Sequence, residues 1–153
     1  YYSKDEVARN YDSERFSTPG GQMFDLFEKS VVLSYLPMSP KGAKILDAGA
    51  GSGRFTIEIA KKGFNVVACD YSETMLEIIR SKLQALNLTN HVVLSKQDIT
   101  QMTFNDNEFD YVCSLRVMVN LDTIENEVKA LHELVRVCKP GGTVVVEFVN
   151  SLS

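Results

Sequence analysis

A chain of 153 residues is long enough to bury one sizeable core and sets the prior at a single domain over 1–153. Its apolar fraction of 44% and charged fraction of 24% are those of a globular chain, and no apolar run reaches membrane-spanning length. A net charge of -4 argues against a nucleic-acid backbone as the main partner, so no nucleic acid is expected.

In chain order, residues 1–18 are polar and aromatic, with Ser3 or Asp5 a candidate start for a short helix. Thr18-Pro19-Gly20-Gly21 is a break, with Thr18 a candidate N-cap and Pro19 a candidate first helical residue. Met23, Phe27, Ser30, Val31, Ser34 and Tyr35 then follow helical spacing and predict a helix over 22–36, stopped before Pro37. A first strand is expected over 44–48, a helix over 54–62 ended by Gly63, and a second strand over 65–70. Ser72 caps the next helix, whose expected buried stripe is Met75, Ile79, Leu83 and Leu86. A third strand over 91–98, a loop over 99–108 and a fourth strand over 109–115 follow. Asp122 or Thr123 caps a helix with Ile124, Val128, Leu131, Val135 and Cys138 on one side. A turn over 139–142 leads to a fifth strand over 143–149. Strands alternate with helices, and several strands are nearly continuous apolar runs. Both features predict a parallel sheet covered on two faces. Cys69, Cys113 and Cys138 sit in apolar stretches without a Cys-x-x-Cys pair. They read as reduced, buried thiols of a cytoplasmic protein.

The chemistry gathers around Ile45-Leu46-Asp47-Ala48-Gly49-Ala50-Gly51-Ser52-Gly53. A buried strand runs into a tight glycine loop and then an amphipathic helix. Such a turn lets a ligand touch bare backbone, and the helix start turns amide N–H groups toward negative charge. Asp70 ends the second strand, where an acid can hold a ribose diol. The bare reading is therefore a nucleoside-bearing cofactor. The dinucleotide pattern G-x-G-x-x-G needs a glycine where Arg54 stands, which argues against a nicotinamide cofactor. Asp47, just before the loop, can tie down loop amides or meet an ammonium group.

The loop resembles the first motif of class I S-adenosylmethionine (SAM) methyltransferases, and the similarity continues in order along the chain. Val66 to Ser72 resembles the end of the second strand, and Met75 matches the methionine one turn into the next helix. Gln97-Asp98-Ile99 resembles the adenine-contacting motif, and Phe109 to Leu115 the fourth strand. Leu131 to Phe148 resembles the helix, Lys-Pro-Gly-Gly turn and fifth strand. The subgroup most similar is the small-molecule type of ubiquinone/menaquinone biosynthesis. This resemblance implies a Rossmann-like, doubly wound, three-layer α/β fold with strand order 3-2-1-4-5. It divides the chain into an N-terminal helical segment over 1–40 and a cofactor-binding core over 41–153. The family's final β-hairpin is not found after Val149, so a core shortened at its carboxyl end is expected. The fifth strand would then be a sheet edge open to dimer formation.

The resemblance also implies site roles. The cofactor is SAM and the acceptor a small organic molecule. Gly49, Ala50, Gly51, Ser52 and Gly53 approach the methionine part, with the Ser52 and Gly53 amides on its carboxylate. Asp70 accepts the ribose hydroxyls, and Asp98 accepts from the adenine amino group between Ile99 and Tyr71, with Gln97 and Met75 alongside. Ser114 and Leu115 offer carbonyls to the ammonium. Arg15 pairs the carboxylate and Tyr11 covers the sulfonium. Arg116 can face substrate or solvent, and Asn120 stands where relatives often carry a His. No catalytic base is assigned and no metal is expected. Alignment alone serves an enolate, phenolate or thiol acceptor. The alternative reading is a non-catalytic or partner-completed SAM-binding module.

Overall fold

The computed structural model describes residues 17–148. Tyr11, Arg15, the short helix expected from Ser3 or Asp5, and Val149 lie outside them. Helices form at Pro19–Ser34 (α1), Arg54–Lys61 (α2), Glu73–Ala85 (α3) and Ile124–Val137 (α4). Strands form at Lys44–Ala48 (β1), Asn65–Asp70 (β2), Val92–Lys96 (β3), Phe109–Ser114 (β4) and Cys138–Val146 (β5). Short 3-10 turns cover Thr89–His91 and Met118–Asn120.

Helices begin where a side-chain oxygen can take an orphan amide. Thr18 Oγ1 accepts from the Gly21 amide at 3.1 Å, with Pro19 in the first helical position. Ser72 Oγ accepts from the Met75 amide at 3.4 Å, and Thr123 Oγ1 from the Asn126 amide at 3.2 Å. Gly63, at φ +85°, follows the end of α2.

The five strands pair in parallel in the order β3-β2-β1-β4-β5, as expected. Chain order reverses at β1, whose neighbours are β2 and β4. Connections from β1 and β4 therefore leave toward opposite faces and open a crevice at the carboxyl ends of the strands. Alternate strand residues feed the two faces. Leu46 and Val112 pack with Met118, Ala130, Leu134 and Val137 on one side. Ile45, Val66, Tyr111 and Cys113 pack with Val32, Phe55 and Ile59 on the other. Ala68, Leu76, Ile79 and Leu83 form a third cluster that seats α3. Each fully buried Leu or Ile contributes about 1.5–3 kcal/mol relative to exposure.

Two helices turn a different face inward than their apolar spacing predicts. On α4 the buried residues are Ala130, Leu134 and Val137, while Ile124, Val128 and Val135 are exposed; of the expected stripe Leu131 packs half-buried against the core, and Cys138 is buried as the first residue of β5. The two arcs lie roughly a third of a turn apart, and contact with β4 and β5 selects the one with a small residue at its centre. On α1, Met23, Phe27, Val31 and Tyr35 are exposed, and the inward face is Asp25, Glu28 and Val32. A charged face turns inward because two arginines wait there, as described below. Leu86 is also exposed, just beyond the end of α3.

Strand limits shift as well. β3 ends at Lys96, and the Gln97 amide donates to the Asp70 carbonyl at 3.1 Å. Residues 139–142 do not form a separate turn but lie within β5 as an irregular, bulged section. Cys138 pairs with Phe109 and Thr143 with Tyr111, so the intervening residues loop outward, helped by Gly141 at φ +80°.

Candidate functional site

The crevice is a cleft of about 660 Å³ at the carboxyl ends of the strands, within the range of small-molecule sites. Of the residues expected there, Asp47, Gly49, Ala50, Gly51, Ser52, Asp70, Tyr71, Met75, Gln97, Asp98, Ile99 and Leu115 line it. Gly53 and Ser114 do not.

The glycine loop is strapped to the strand beside it. The Gly49 and Ala50 amides both donate to the Cys69 carbonyl, at 2.8 and 2.9 Å. Gly49 has φ +75°, and a Cβ there would lie 2.2 Å from Val117 Cγ2, so the loop and the segment after β4 meet only because the side chain is absent. Gly51 has φ +54° and nothing within 4 Å of its would-be Cβ. Its bare backbone faces open space. The Gly53 amide is taken by the Ala50 carbonyl at 2.9 Å, so Gly53 shapes the loop at the start of α2 rather than meeting a ligand carboxylate.

Asp70 is oriented by two backbone donors. Its Oδ2 accepts from the Gly51 amide and its Oδ1 from the Ser72 amide, each at 2.8 Å. A carboxylate has about four acceptor positions, so two donors leave capacity for two hydroxyls. Burial raises the Asp70 pKa, and the Ser72 and Gly51 amides oppose that rise. Ser72 meanwhile caps α3 with its own hydroxyl, leaving the Asp70 carboxylate directed at the loop.

Asp47 differs from the expectation of loop amides or an ammonium. It is 2% exposed, its Oδ2 accepts from the Thr56 hydroxyl at 2.6 Å, and the Cys113 thiol lies 3.7 Å from Oδ1. Burial pushes its pKa up to about 6, with the Thr56 and Cys113 bonds opposing. It ties the start of α2 to β4 beneath the cleft. Burial also pushes the Cys69 thiol up to about 12 and raises Cys113 well above its ordinary value. Neither supplies a thiolate near neutral pH.

At the other end, Asp98 Oδ1 accepts from the Thr100 amide at 2.9 Å and its hydroxyl at 2.7 Å, while Ile99 is buried below. Gln97 is occupied with Ser95 and Thr103, through bonds of 3.0 and 2.9 Å from Nε2. It braces the loop after β3. The Ser114 carbonyl accepts from the Glu147 amide at 3.2 Å, which places Ser114 in the sheet behind the cleft wall.

Sequence reasoning missed an ionic cluster at the cleft rim. Arg54 and Arg116 both line the cleft. Arg54 pairs with Asp25 and Glu28 of α1, and Arg116 Nη2 lies 3.2 Å from Glu28 Oε1. Arg116 has φ +60°, its guanidinium lies 5.2 Å from the Phe24 ring centroid, and its carbonyl accepts from Asn120 Nδ2 at 2.6 Å. Asp25 and Glu28 gave no local signal, since acids on a helix ordinarily face water. Arg116 stood next to the fourth strand, but its partners are far away in sequence. Among the described residues no group of three or more His, Cys, Asp or Glu side chains could hold a metal ion. No helix among them is long and apolar enough to cross a membrane.

Comparison with known proteins agrees with this fold. A family profile described as a methyltransferase domain matches residues 45–142. The demethylmenaquinone methyltransferase of Clavibacter sepedonicus is 34% identical over 142 residues, covering 93% of this chain and 54% of that protein. The chain thus spans about half the length of the curated relatives it matches. A SAM-dependent methyltransferase from Aquifex aeolicus superposes with a TM-score of 0.69 at 25% identity, covering 90% of this chain and 68% of that one. The PH0226 protein from Pyrococcus horikoshii superposes with a TM-score of 0.75 at 24% identity, covering 92% and 64%, and shares the fold.

Proposed function

The chain belongs to the SAM-dependent methyltransferase family, and from that premise we propose that it binds SAM in the cleft and directs its methyl group to a small organic acceptor. The observation that carries this reading is the Asp70 carboxylate, aimed by the Gly51 and Ser72 amides beside a bare-backbone loop. That pairing suits a ribose diol next to a ligand chain that must lie against the main chain. Asp70 holds the ribose, while Asp98, Ile99 and Tyr71 border the adenine. Gly49, Ala50, Gly51 and Ser52 run beside the methionine part, with Leu115 across from them. Tyr11 and Arg15 remain candidates for the sulfonium and carboxylate.

When bound, SAM supplies an electrophilic methyl group. The chain's part is to fix the acceptor in line and keep water away. Among the described residues, neither Asp47 nor the buried thiols offer a general base. Asp47 is bonded to Thr56 and Cys113, and the buried thiols stay protonated. An acceptor that already carries enolate or phenolate character fits this site best, and a quinol ring of the menaquinone kind has that character. Arg116 and Asn120 line the end of the cleft beside Gly49. A guanidinium there suits an acceptor's anionic oxygen.

The test is calorimetric titration of the folded chain with SAM, S-adenosylhomocysteine and NAD. Micromolar binding of the first two and none of NAD is expected. Preference for NAD, or no binding by a folded chain, overturns the reading.

A further inference from the structure

We propose that Glu28 is a positioning residue for the acceptor end of the cleft, acting through the Arg116 guanidinium; the acceptor role rests on the methyl-transfer reading. Glu28 reaches down from α1. Its Oε1 and Oε2 lie 3.2 and 3.4 Å from Arg116 Nη2, and Oε2 also accepts from Arg54 Nη2. One carboxylate therefore joins Arg116, two residues beyond β4, to the first residue of α2, and both arginines line the cleft. The three side chains are only 10–12% exposed. Charges held so far from water need fixed partners, because solvent no longer competes for them.

The other contacts of Arg116 close in from different sides. Glu147 Oε2 lies 3.9 Å from Nε, the Phe24 ring lies over the guanidinium, and Asn120 holds the carbonyl. The left-handed backbone at Arg116 is unfavourable for a residue with a Cβ and persists where its surroundings over-determine it. The next residue, Val117, is the one that meets the loop at Gly49. Glu28 thus couples the orientation of Arg116 to the loop and to α1 together. Asp25 does not. It bonds Arg54 and Lys29, so it latches the same helix without reaching Arg116.

That difference supplies the experiment. Glu28→Gln keeps the side-chain length, removes the charge and turns an N–H toward a guanidinium. Asp25→Asn is the control, since it loosens the α1 latch alone. Each variant is read by arginine side-chain NMR, by titration with S-adenosylhomocysteine, and by methyl transfer from SAM to a short-chain demethylmenaquinol. In Glu28→Gln the separate Nη signals of Arg116 should draw together as its rotation becomes less restrained. Its acceptor KM should rise about tenfold, the scale of one charge-assisted hydrogen bond, with S-adenosylhomocysteine affinity within about twofold. Asp25→Asn should leave the Arg116 signals and the acceptor KM at wild-type values. Equal effects in the two variants reduce Glu28 to a helix latch and overturn the proposal. Unchanged Arg116 signals in Glu28→Gln overturn it as well. A wild-type chain that binds no S-adenosylhomocysteine refutes the methyl-transfer reading instead, and the NMR comparison still decides whether Glu28 orients Arg116.

Discussion

Removing the Asp70 carboxylate tests the site most directly. Asp70 is half-buried, and its two oxygens accept amides from Gly51 and Ser72 at 2.8 Å. In Asp70→Ala both amides become reachable by water, so the folding cost is about 1 kcal/mol. The ligand loses more. Its ribose hydroxyls lose a charged acceptor that was already oriented, worth about 1–3 kcal/mol, or roughly 5- to 150-fold in affinity. The assay is calorimetry with S-adenosylhomocysteine at neutral pH, beside a thermal melt to show that the variant is folded. A 2′-deoxy analogue sharpens the result. Deleting the ligand hydroxyl should weaken binding to the wild-type chain and have little further effect on Asp70→Ala, because the partner is already gone. Asp70→Asn should do no better than alanine, since whichever way the carboxamide lies, its NH2 faces an amide N–H. A folded Asp70→Ala chain that binds within about twofold of wild type refutes the ribose role.

The remaining predictions probe the scaffold. Asp47 has a folded pKa of about 6 against 3.8 for the free group, because burial favours its protonated form. Below pH 4 it is protonated in both states. Between pH 4 and 6 only the unfolded chain gives up the proton, so stability falls as pH rises, by about 3 kcal/mol at most, and the loss is complete above the folded pKa. Asp47→Asn should flatten that fall in denaturant melts across pH 4–7, and an unchanged slope would rule out Asp47 as its source. Gly51→Ala should fold with a loss of about 1–2 kcal/mol from its left-handed backbone. Its methyl group would project into the open space beside the loop, so S-adenosylhomocysteine binding should fall far more than stability does. Gly49→Ala adds a collision with Val117 to the same backbone cost, and should be the less stable of the two in urea melts. Tyr111→Phe removes the 2.8 Å bond from the phenol to the Val32 carbonyl. It should cost about 0.5–1.5 kcal/mol of stability and leave cofactor affinity unchanged, as seen by paired melts and titrations.

The order of strands and helices was legible because each boundary carries its own local chemistry. Thr18 with Pro19, Ser72, Thr123 and Gly63 each act within a turn of their own position. The glycine loop and Asp70 were legible for the same reason. Positive φ at Gly49 and Gly51 is a backbone property, and the end of a buried strand fixes where Asp70 stands. The resemblance to a known family then implied a cofactor and predicted the strand order that the sheet has.

Local chemistry could not say which way α1 and α4 face. Both helices carry an apolar arc that looks like a core stripe, and in both the structure buries chiefly another arc, only Leu131 of the expected stripe within α4 reaching the core. On α4 the choice depends on the surface that β4 and β5 present. On α1 it depends on Arg54 and Arg116, which lie 26 and 88 residues from Glu28 along the chain. The partners of Asp47 and the bulge within β5 are likewise pairings between distant segments. The sequence by itself determined the elements, their caps and the glycine loop at the cleft, because those rest on dihedral preferences and hydrogen bonds within a few residues. Tertiary structure alone decided which charges meet at the rim of the cleft, because a buried ion pair forms only after folding has brought its two ends together and removed the water between them.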